Sequence, residues 1–183
     1  IMGGAGKGGS VAFTPGRFRN DKRVVLNNII YIANLMALKQ WYAQVRSLFL
    51  SDRFPQALLE GLLHKVEMAL AERINRLEAV CQIKPEADSA GEPSNSVKQD
   101  RKLFERWPDL KASLTAQQAN PGAAELRDPF LESVRRGISI YGKDYISVVQ
   151  GLDPADSAQG TGWLQGIIDD MMRQAQKMMP SYF

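Results

Sequence analysis

The chain has 183 residues, 44% hydrophobic and 23% charged, which suits one globular domain with a sizeable core. A formal charge of +3 is too small to demand a polyanionic partner, and the single cysteine, Cys81, excludes an internal disulfide and any multi-cysteine metal site. The most apolar run, VVLNNIIYIANLMAL at 24–38, is too short to span a bilayer and contains three asparagines.

Residues 1–20 carry Gly, Pro and Ser without periodicity and are read as a flexible basic arm. From Ile1 to Arg23, Lys7, Arg17, Arg19, Lys22 and Arg23 stand against Asp21 alone, a surplus of +4 that exceeds that of the whole chain. Any anion binding therefore belongs to this arm. Its stretch GGAGKGGS, 3–10, resembles the phosphate-binding loop of partitioning-type ATPases at Gly3, Gly4, Gly6 and Lys7. That loop needs a hydroxyl after the lysine for Mg²⁺ and a helix directly behind it. Gly8 stands at the hydroxyl position and Pro15-Gly16 interrupts any long helix, so the stretch is read as a lead-in. Phe13 and Phe18, set among the cations, could stack on bases while the cations meet phosphates, which makes nucleic-acid binding through residues 7–23 a third-ranked reading.

Asp21 is a fitting N-cap for a helix over about 21–50. Ile29, Ile32, Leu35, Met36, Leu38, Tyr42, Val45 and Phe49 recur at helical spacing, and Val24, Val25, Leu26, Ile30 and Trp41 widen the stripe almost all round. A helix so apolar belongs at the centre of a fold. SDRFP, 51–55, breaks it, and Pro55 suits the first turn of a second helix over about 55–83. The seam there is Leu59, Leu63, Val66, Leu70, Ile74, Leu77 and Cys81, opposite a charged face. Two long helices with a short joint predict an antiparallel hairpin.

Residues 84–96, KPEADSAGEPSNS, have no aromatic or β-branched side chain and are read as a disordered linker. Short helices are expected at 97–107 and 108–118, then a punctuated connection to a helix starting at Asp128-Pro129. Two patterns fit 138–149: continued helix, with a stripe of Phe130, Val134, Ile138, Tyr141, Tyr145 and Val148, or a β-hairpin around Gly142-Lys143-Asp144. The helix is preferred. DPADSAQGTG reads as loop, and a last helix is expected from Thr161 to Met179, stopped by Pro180.

The chemistry is sparse. His64 and Cys81 are the sole residues of their kinds, seventeen positions apart in one helix, so roughly 25 Å separates them along its axis. They cannot form a dyad within one chain. No G-x-S-x-G elbow offers a serine nucleophile. A carboxylate-bridged di-metal site would need two E-x-x-H motifs, and one histidine cannot supply them. Asp169 and Asp170 diverge by about 100° around their helix. No cofactor, metal or catalytic residue is assigned. Trp163, Ile167, Met171, Met172, Met178 and Met179 on the last helix are candidate partner-binding residues, because methionine-rich faces accept varied partners. Packing into the core is the competing reading for them.

The fold class expected is mainly α: a long antiparallel hairpin, 21–50 against 55–83, with the 97–183 part of the same domain packed on it. The function expected is a non-enzymatic interaction or assembly module, either self-associating or docking into a larger complex in the cytoplasm or another reducing compartment. The alternative is a helical accessory domain of a larger enzyme, whose basic arm meets a phosphate-bearing substrate. The first residue is Ile1, which allows the chain to be a piece of something longer.

Overall fold

A computed structural model describes residues 22–81 and 95–183. Six α-helices account for most of them: α1 Lys22–Gln40, α2 Gln56–Cys81, α3 Asn95–Gln117, α4 Ala124–Tyr141, α5 Tyr145–Gln150 and α6 Pro154–Met178. The fold is mainly α.

The hairpin is antiparallel. Lys39 of α1 pairs with Glu67 of α2 at 2.9 Å, and Arg73 of α2 lies 4.3 Å over the Tyr31 ring of α1, so numbers rise along one helix as they fall along the other. The α2 seam predicted from sequence is the buried face, with only Leu63 left half-buried. α6 runs back along the other side of α1, Lys22 meeting the Phe183 carbonyl at one end. α3 packs on both α2 and α6 and closes a four-helix ring in the order α1, α2, α3, α6. One continuous core, from Val25 and Ile29 through Leu70, Leu110 and Trp163 to Tyr182, fills it. α1 is thus covered by two long neighbours, which uses up most of its wide apolar surface.

Several boundaries differ from the sequence expectation, each for a physical reason. The first helix does not continue unchanged to Leu50. A π turn, Trp41–Val45, and a 3₁₀ turn, Arg46–Phe49, follow α1. Buried positions step from Gln40 to Val45 and then Phe49, so the extra residue of the π turn carries Val45 and Phe49 inward. Pro108 does not divide α3. Leu103, Trp107, Leu110 and Leu114 are buried in continuous helical spacing around it, and Pro108 itself is exposed, so the lost backbone bond falls on the solvent side. Of the expected linker, residues 84–94 lie outside the described residues, and α3 already begins at Asn95.

α4 begins at Ala124, four residues before the expected Asp128. Segment 138–149 is neither unbroken helix nor hairpin. α4 ends at Tyr141, Gly142 turns the chain with a positive φ of 67°, and Asp144 caps α5, its carboxylate accepting from the amides of Ile146 and Ser147. α6 starts at Pro154, not Thr161. Asp153 caps it, and the glycines read as loop signals serve packing instead: a Cβ on Gly160 would stand 2.6 Å from the Phe130 ring.

Candidate docking corner

The residues singled out in the sequence scatter. Lys7, Arg17 and Arg19 lie outside the described residues. Lys22 and Arg23 are exposed in the first turn of α1, Lys22 donating to the Phe183 carbonyl at 2.9 Å. The methionine face of α6 packs into the core, which is the competing reading from the sequence. Trp163, Ile167, Met171 and Met179 are buried, and Met172 and Met178 are half-buried against the same core. The cause is the ring itself, because that face of α6 is the one turned toward α1, α3 and α4. The Trp163 indole N–H donates to the Pro121 carbonyl at 2.8 Å, which fixes the loop joining α3 to α4.

His64 is exposed on α2, whereas Cys81 is buried at its end. Burial, with the negative Glu78 nearby, pushes the Cys81 thiol up to about 12, so it stays protonated and inert at neutral pH. Asp169 accepts from Gln165 and Asp170 pairs with Arg173, each along its own helix. Among the described residues no group of three or more His, Cys, Asp or Glu side chains could hold a metal ion. No described helix is long and apolar enough to cross a membrane.

A different place gathers functional character: the end of the bundle where α1 gives way to α2 and α4 gives way to α5. Residues 51–54 form a tight turn, closed by reciprocal Ser51–Phe54 backbone hydrogen bonds of 3.0 Å. It faces the Gly142–Asp144 turn, and the Lys143 ammonium donates to the Leu50 carbonyl across the gap. Between the turns lies an open groove of about 660 Å³. Arg46 forms part of its wall, with its guanidinium carbon 4.1 Å from the ring centroids of both Phe54 and Tyr145. Tyr145 in turn meets Phe49 edge-on at 5.2 Å. Arg53, Lys143 and Ile146 stand on its exposed rim together with Asp52 and Asp144.

The two most exposed large apolar side chains among the described residues flank the Gly142–Asp144 turn along the chain: Ile140 at 72% and Ile146 at 64%. Sequence periodicity placed Tyr141 and Tyr145 in an inward stripe and gave Arg46 no role. The corner depends on contacts between residues about ninety positions apart, and no local pattern encodes those. "SDRFP" and "GKD" each signal a turn, but nothing in either says that they meet. No protein-family model, curated protein or solved structure matches this chain.

Proposed function

We propose that the chain is a non-enzymatic helical module that docks into or builds a larger assembly, with the α4–α5 corner as its contact surface. One observation carries this reading: Ile140 and Ile146 stand in water on either side of the Gly142–Asp144 turn, which forms one wall of a groove lined by three cations and two carboxylates. Single exposed apolar residues are ordinary on a protein surface, but a cluster of them beside polar groups marks an interaction site. Ile140 and Ile146 stand outside the core cluster of the described residues. An apolar centre with a charged rim is also how protein interfaces are commonly built.

The test combines light scattering after gel filtration with partner recovery, for wild type and for a variant carrying Ile140→Glu and Ile146→Glu. The expected result is an oligomer or a stably recovered partner for wild type, lost in the variant while its circular dichroism is unchanged. A compact wild-type monomer that recovers no partner overturns the reading.

A further inference from the structure

The groove has features of a preorganised anion site. Both its walls are held, one by the paired backbone bonds of the Ser51–Phe54 turn and the other by the Asp144 cap, with Lys143 tying the two turns together. Arg46 is fixed between two aromatic rings. A contact between a guanidinium and a ring face does not by itself spend the N–H donors. Those donors pair with no described residue, and the exposed Arg53 makes no ion pair or hydrogen bond with one either. An arginine held in advance with its donors unpaired suits a carboxylate, which a guanidinium can grip through two parallel bonds at little further entropic cost.

The charge balance narrows the class of ligand. Arg46, Arg53 and Lys143 line the groove together with Asp52 and Asp144, and Asp144 already accepts from two backbone amides. A net surplus of one positive charge suits a single carboxylate, whereas a phosphate backbone would meet two carboxylates at close range. Ile146, which borders the groove and is 64% exposed, supplies an apolar contact beside these charges.

We infer that this corner docks an acidic, amphipathic peptide segment of a partner protein, with one Asp or Glu carboxylate on Arg46 and flanking apolar side chains on Ile146 and its neighbours. The inference rests on the reading of the chain as a docking module and adds the chemistry of what docks.

The full chain is used to select binders from a library of short random peptides, and the enriched peptides are then titrated against variants. Enriched peptides are expected to combine Asp or Glu with apolar residues. Losing a charge-assisted hydrogen bond should weaken them about tenfold or more in Arg46→Gln. Arg53→Glu and Ile146→Glu should weaken them as well, and Arg76→Gln on the far surface of α2 should not. Arg53 and Ile146 are exposed, so these two variants still decide the matter should Arg46→Gln fail to fold. Enrichment of basic or uncharged peptides, or acidic peptides that bind all the variants equally, would overturn the inference. So would binding of single-stranded oligonucleotide or phosphatidylserine vesicles that is lost in Arg53→Glu, which would assign the groove to phosphate. If no peptide is enriched but a wild-type dimer dissociates in Ile146→Glu, the acidic-segment inference falls and the docking module stands. If no peptide is enriched and wild type is a monomer that recovers no partner, both fall.

Discussion

Glu78 joins two helices through one carboxylate. It accepts from the Trp107 indole at 3.1 Å and from the Lys111 ammonium at 3.0 and 2.8 Å, tying α2 to α3 on either side of Pro108. The Lys111 hydrogen bond, then that of Trp107, hold its carboxyl below the ordinary value of 4.5. A carboxyl whose folded pKa is depressed contributes stability that is complete above its unfolded value and is lost as pH falls through the folded value. Glu78→Gln keeps an acceptor for Trp107 but removes the charge that pairs with Lys111. Wild type should therefore melt higher than Glu78→Gln at pH 7, and the gap should close as pH drops below about 4.5 and Glu78 protonates. Comparing the two proteins cancels the other carboxylates. A gap that persists unchanged at strongly acid pH would mean that shape, not charge, is what the substitution removes. Cys81 gives a second check at this scale. Its buried thiol should resist a thiol-specific disulfide reagent at neutral pH in the folded protein and react at once in denaturant.

Two glycines of one helix lead to opposite expectations at the scale of elements. Gly160 of α6 lies against Phe130 of α4, and an added Cβ would meet its ring atoms at 2.6 and 2.8 Å. That ring has little room to yield, because Trp41 and Trp163 lie near it with centroids at 6.0 and 6.1 Å. Overpacking of this kind costs about 1–3 kcal/mol, more than the gain of about 0.5–1 kcal/mol from replacing a helical glycine by alanine. Gly166, in the same helix, has nothing within 4 Å of an added Cβ. Gly160→Ala should therefore lower the melting temperature and Gly166→Ala should raise it, by about 0.5–1 kcal/mol in stability at the second site. Denaturant titration reads both. The contrast shows what was legible in the sequence. The stripe from Leu59 to Cys81 announced α2 because burial on one helix face leaves a periodic mark. Gly160 and Pro108 look like breakers locally, and only a neighbouring helix or an outward-facing proline ring reveals that they are tolerated. The Arg46 groove left no mark beyond its two separate turns, since Tyr145 becomes a neighbour of Arg46 only after the bundle has closed.

At the scale of the whole molecule, the ring makes each long helix depend on two others. α3 has no core of its own: Leu103, Trp107, Leu110 and Leu114 are buried in the same cluster as Ile32, Leu70 and Ile167. Such an arrangement should unfold as one unit even though α3 carries an internal proline and follows a stretch outside the described residues. The three tryptophans are placed to test this. Trp41 reports on the π turn beside Phe130, Trp107 on the seam between α2 and α3, and Trp163 on the centre of α6. Three proteins, each keeping one tryptophan and carrying phenylalanine at the other two positions, are unfolded in urea. In each, the fluorescence transition should coincide with the loss of helical circular dichroism measured on the same protein. Comparing two signals within one variant removes any stability that the substitutions cost. If the Trp107 signal leaves its folded baseline at lower urea than the circular dichroism, while Trp41 and Trp163 do not, then α3 opens separately and is a latch on the remaining helices, not part of a single cooperative bundle.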